Sequence, residues 1–135
     1  MIFIDSNILV YSIDDKSPEK QRKARAIVAS AIGRPGFMVS AQVLNEFSNV
    51  ALAKMGLTLP EVGKFVAVFK RIKSVPVDCG WTERALAIKA QYGTQFYDSL
   101  LIAAAEANGC DEFWSEDLND GQLYCGVKAV NPFKK

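Results

Sequence analysis

MIFIDSN, residues Met1–Asn7, decides how the rest of the chain is read. Met1 to Ile4 is an unbroken apolar run, the pattern of a short strand buried in a core. Asp5 closes it with a negative charge, and no lysine or arginine lies near it in sequence. An ionised carboxylate at the rim of a core is costly unless something compensates it. Asp5 could simply cap the helix that follows, or it could hold a ligand.

Working outward, ILVYSID reads as a short helix ending in a turn at Asp14-Asp15-Lys16. Ser17-Pro18-Glu19 is a helix start, with an N-cap serine, proline at the first position and an acid in the first turn. Ala24, Ile27, Val28 and Ala31 share one face of that helix, and Gly33-Arg34-Pro35-Gly36 ends it. FMVS is a buried strand, and Ser40 starts a long helix with Val43, Leu44, Phe47, Val50 and Ala51 at helical spacing. A further helix is expected from Pro60 to Ile72, a strand at VPVD (75–78), and a helix from Thr82 to Gly93. FYDSLLIAAAEANG (96–109) is the strongest helix, closed by Asn108-Gly109. CDEFWSED and VKAVNPF read as the last two strands.

Strands alternating with helices along the whole length predict an α/β fold, a single domain over residues 1–135 with a mostly parallel sheet. Half of the residues are hydrophobic and the formal charge is +1, so the composition carries no global signal for nucleic acid. No apolar stretch reaches membrane-spanning length. The N-terminus has no basic, signal-like region, and the three cysteines are odd in number without a Cys-x-x-Cys pair. A reducing cytoplasm is the expected location.

The chain contains no histidine. That removes serine and cysteine triads, histidine-ligated zinc and imidazole catalysis, and no glycine-rich phosphate loop is present. An enzyme built from this sequence has carboxylates and a hard metal as its tools. Sites in parallel sheets form at the carboxyl ends of strands. Asp5 ends the first strand, and Asp117 follows FWSE, with Asp120 as a competitor. Asp98 stands at the start of the strongest helix, whose dipole favours its ionised form. Glu46 flanks Val43 and Val50 at the edge of an apolar stripe. Crowded carboxylates take up a proton or a cation, and magnesium or manganese prefers such oxygen ligands.

MIFIDSNILVYSID, Glu46 within SAQVLNEFSNV, FYDSLLIAAAEANGC and FWSEDLNDGQ together resemble the PIN-domain nucleases, in particular the VapC-type toxins of toxin–antitoxin pairs. The resemblance spans essentially the whole chain, with the motifs in the family's order. It implies an α/β/α sandwich and a Mg2+- or Mn2+-dependent endoribonuclease acting on RNA. It carries Asp5, Glu46, Asp98 and Asp117 over as catalytic and metal-binding acids, with Asn7 and Ser115 as supporting polar residues. It also implies a small antitoxin partner and makes a homodimer plausible.

KSPEKQRKAR clusters Lys16, Lys20, Arg22, Lys23 and Arg25, either as a solvated helix face or as phosphate contacts for RNA. Trp81 and Trp114 read as core. Competing functions are an aspartyl-phosphate phosphatase, a receiver-type signalling module and a catalytically silent scaffold. The first of these needs Asp-x-Asp after strand one, where this chain has Asn7.

Overall fold

The computed structural model describes residues 1–134. Its elements follow in the order β1 (Ile2–Ile4), α1 (Ser6–Ile13), α2 (Pro18–Ala31), β2 (Phe37–Ser40), α3 (Ala41–Ala53) and α4 (Leu59–Phe69). Then come β3 (Lys73–Val75), α5 (Gly80–Tyr92), α6 (Phe96–Ala107), β4 (Glu112–Trp114), β5 (Leu123–Tyr124) and β6 (Val127–Val130). Among the described residues, six strands form one sheet in the order β3-β2-β1-β4-β6-β5. All pairings are parallel except the β5–β6 hairpin. The expected α/β architecture with a mostly parallel sheet is present.

β1 lies between β2 and β4, and Phe3 and Ile4, on its opposite faces, are both fully buried. That burial is why the opening run is apolar without alternation. Phe3 pairs in register with Phe113, and the two rings stack with centroids 5.4 Å apart. One core gathers Phe3, Ile8, Phe47, Phe69 and Leu101; a smaller one sets Ile88 and Ile102 against Tyr124 and Ala129. α6 is buried along most of its length, from Ser99 to Ala105, which accounts for its leucine- and alanine-rich sequence.

Three local readings shift. The third strand is Lys73–Val75 rather than VPVD, because Pro76 lacks the amide a ladder needs and stops it. β5 was not expected; it pairs with β6 across the two-residue turn Cys125-Gly126, both in the left-handed region at φ 53° and 83°. Ser17 and Ser40 occupy N-cap positions without a side-chain capping bond, whereas Thr58 and Glu61 form a reciprocal capping box on α4.

Because Phe113 joins β4 to β1 and is almost wholly buried, Phe113→Ala is expected to cost about 3–5 kcal/mol in urea denaturation.

Candidate active site

β1 and β4 run parallel, with Ile4 opposite Trp114. The next residue on each strand, Asp5 and Ser115, therefore emerges at the same level of the sheet edge. The Asp5 amide donates to the Trp114 carbonyl at 3.0 Å, and the Ser115 hydroxyl donates to Asp5 Oδ2 at 2.7 Å. The chain leaves β1 towards β2 on one side, while β4 lies on the other. The site thus occupies the topological switch point of the sheet.

Asp5 takes up the capping role, one of the two open to it from sequence. It is the N-cap of α1, accepting from the Ser6 amide at 2.6 Å, and it also faces other acids. Carboxylate oxygens of Asp5, Asp98 and Asp117 all lie within 4.8 Å of one another. None of the ion pairs among the described residues involves these three acids. Burial drives the Asp5 pKa up to about 7, the bonds from Ser115 and the Ser6 amide pull it down, and the charges of Glu46 and Asp117 push it up. Asp98 rises to about 6, through burial first and then the charges of Asp117 and Glu46. Asp98 occupies the third position of α6, and there burial and repulsion outweigh the helix dipole.

Glu46 stands at the margin, outside the three-acid group. Its Oε1 accepts from the Ser6 hydroxyl at 3.2 Å and its Oε2 from the Gln42 amide at 3.0 Å. Ser6 Oγ also lies 3.4 Å from Asp5 Oδ1, and its single proton serves one acid at a time. Asn7 Nδ2 reaches Ser115 Oγ and Asp117 Oδ2, each at 3.2 Å, and Asp5 Oδ2 at 3.5 Å. Ser115 Oγ further accepts from the Asp117 amide at 3.0 Å. Asp120 is engaged elsewhere, accepting from the Asn131 amide at 2.8 Å, so Asp117 is the acid of the last motif that joins Asp5 and Asp98.

The basic cluster divides. Lys20 is paired with Glu116 at 3.0 Å and bonded to the Tyr11 hydroxyl, tying α2 to the loop that carries Asp117. Arg25 donates to the Ser12 carbonyl at 2.9 Å. Arg22 is exposed and Lys23 half-buried on α2. Of this cluster only Lys20 reaches that loop. Sequence reasoning passed over Ser6 and Gln42, which hold Glu46. Gln42 sits one helical turn before Glu46, a spacing that places two side chains side by side. A cleft of about 530 Å³ opens beside the acids, lined by Thr94, Gln95, Asp98, Asp117, Asn119 and Gln122 among others.

An α/β domain with a cluster of acids at its switch point is the class that this geometry defines. The chain belongs to the PIN domain family, which it matches over residues 2–119. None of the curated proteins matches it in sequence. Its fold is similar to that of Mycobacterium tuberculosis VapC20, a sarcin–ricin loop cleaving toxin, at TM-score 0.68 and 17% identity, covering 84% of this chain and 87% of that one. A toxin–antitoxin complex from Klebsiella pneumoniae is similar at TM-score 0.69 and 17% identity, with 98% of each chain covered. VapBC2 from Rickettsia felis, bound to a promoter DNA fragment, is similar at TM-score 0.67 and 16% identity, covering 97% of this chain and 98% of that one. At these identities the likeness is one of fold.

Asp5 and Asp98 are held above the ordinary carboxylate range, so the folded state binds protons that the unfolded chain has released. That stabilisation is complete below about pH 4 and is lost as pH rises through about 6 and 7. In chelator, Tm is expected to fall between pH 5 and pH 8, and Asp5→Asn should raise the pH 8 value by about 5 °C. Thermal melts across that range check both.

Proposed function

We propose that this protein is a divalent-metal-dependent endoribonuclease, the toxin of a toxin–antitoxin pair. The observation that carries the reading is the convergence of Asp5, Asp98 and Asp117 with no ion pair to a lysine or arginine among the described residues. Three oxygen donors in that arrangement fit a hard cation, and Asp5, Asp98 and Asp117 would hold it. When bound, magnesium or manganese supplies Lewis-acid polarisation of a phosphodiester and a lowered pKa for an attacking water.

The chain's own residues have distinct tasks. Ser115 and the Ser6 amide fix one oxygen each of Asp5, and Asn7 fixes Asp117, so these two acids are oriented before substrate arrives. Glu46, held by Ser6 and Gln42 beyond the three-acid group, would act at its margin, through a water. Asn7 donates its amide to its neighbours where a phosphatase would carry a second aspartate as general acid. That supports hydrolysis over a phosphoryl-enzyme.

Family membership supports a nuclease, and the toxin neighbours support RNA as the substrate. The neighbouring complexes support a small antitoxin as partner. A homodimer and contacts from Lys20, Arg22, Lys23 and Arg25 to RNA phosphates belong to the same proposal. No helix among the described residues is long and apolar enough to cross a membrane. A cytoplasmic location is part of the proposal, in keeping with RNA as substrate.

Purified protein free of any partner should cut a mixed RNA pool with magnesium or manganese and stop in chelator. Asp5→Asn and Asp98→Asn should each lower the rate at least about 100-fold, and retention of full activity by both would remove the site assignment. Cation uptake must displace protons from Asp5 and Asp98. At limiting metal, cleavage is therefore expected to rise from pH 5 to pH 8, because in the metal-free protein the two groups ionise near 6 and 7.

A further inference from the structure

A second cleft, of about 420 Å³, lies against Glu46 and the residue before Asp98. It is lined by Gln42, Asn45, Glu46, Asn49 and Tyr97. The four α3 residues follow the spacing i, i+3, i+4, i+7 and so form one polar stripe along the helix. Tyr97 faces them from the first turn of α6, next to Asp98, with 64% of its surface exposed. Gln42 locks the two helices together. Its amide donates to Glu46 Oε2 at 3.0 Å and to the Tyr97 carbonyl at 3.2 Å. Phe96 supports the Tyr97 ring edge-on, with centroids 5.4 Å apart.

We infer that this cleft is a nucleotide subsite, in which Tyr97 stacks one base of a single-stranded RNA and the amides of Asn45 and Asn49 bond its edge. The inference rests on the nuclease reading and names the substrate feature that the site would grip. Three features of the cleft favour this occupant. A tyrosine with most of its surface open to water offers a π-face, and base stacking on aromatic side chains is the usual means of holding unpaired nucleotides. Asparagine amides present a donor and an acceptor together, the pattern that pairs with a base edge. Glu46 lines this cleft and shares the Ser6 hydroxyl with Asp5, and Tyr97 directly precedes Asp98 in α6, so a base seated here lies beside the acids. Neither Asn45 nor Asn49 is buried, so their amides are open to solvent and to a ligand. Among the described residues no lysine or arginine lines the cleft, so its contribution is to the choice of base rather than to phosphate affinity.

The test uses RNA hexamers carrying 2-aminopurine at successive positions, with magnesium, and the full-length Asp98→Asn protein to block cleavage. Stacking on Tyr97 should quench the fluorophore at one position. Tyr97→Phe, added to this background, should preserve the quench, and Tyr97→Ala should abolish it and weaken binding roughly tenfold. Asn45→Ala combined with Asn49→Ala should leave the quench but flatten the preference among the four bases at that position. Tyr97 is largely exposed, so its truncation leaves the core intact. Absence of binding, or an unchanged quench in Tyr97→Ala, overturns the subsite. Cleavage assays separate the two readings. If Tyr97→Ala in otherwise unaltered protein cuts the same sites at the same rate, the subsite fails while the nuclease stands. If Tyr97-dependent quenching occurs in protein that never cuts, the nuclease reading fails and the subsite stands.

Discussion

Mutual repulsion among carboxylates at the end of β1 is the constraint around which this protein is arranged. Asp5 is only 3% exposed, and among the described residues its carboxylate accepts only from neutral donors. Asp98 and Asp117 are then brought within reach of it. A fold optimised for stability alone would place an arginine there or replace the acids with apolar side chains. This one keeps the repulsion and surrounds it with groups that orient the charges without cancelling them. Strain concentrated at a site and supported by the rest of the structure is the usual mark of function.

The supporting structure is largely backbone geometry. Parallel register between β1 and β4 sets Asp5 beside Ser115, and the burial of Phe3 and Phe113 holds that register. α6 brings Asp98 in on its first turn, anchored by a buried face that runs from Ser99 to Ala105. Gly93, in the left-handed conformation at φ 72°, ends α5 and lets the chain turn straight into α6. The tie of Lys20 to Glu116 steadies the loop next to Asp117 from the far side. These are ordinary interactions, and together they set where the backbone delivers each acid.

Much of this was legible in the sequence where periodicity and charge coincide. The apolar run ending in Asp5 and the alanine-rich helix beginning near Asp98 needed only local patterns. β3 was misplaced because an edge strand of three residues, mostly exposed, carries no apolar signature. β5 is two residues long, too short for any alternation to register. The choice between Asp117 and Asp120 depended on which one the β6 exit would bind, a contact invisible before folding. Lys20 offered only a cluster of like charges, because its partner Glu116 lies 96 positions away. Glu46 fell at a stripe boundary, and only Ser6 and Gln42 disclose what it faces.

The strand order also bears on how the molecule comes into being. β1 can pair with β2 as soon as the first third of the chain exists, but its other neighbour, β4, begins at Glu112. Ser115, which steadies Asp5, is separated from it by 110 positions. Contacts this distant in sequence form late, after the entropy of closing a long loop has been overcome. On a ribosome the carboxylates cannot converge until residues beyond Asp117 have been made and β4 has inserted. A nascent chain therefore carries Asp5 through nearly all of its synthesis, while Asp98 and Asp117, which complete the cluster, arrive only in its last third.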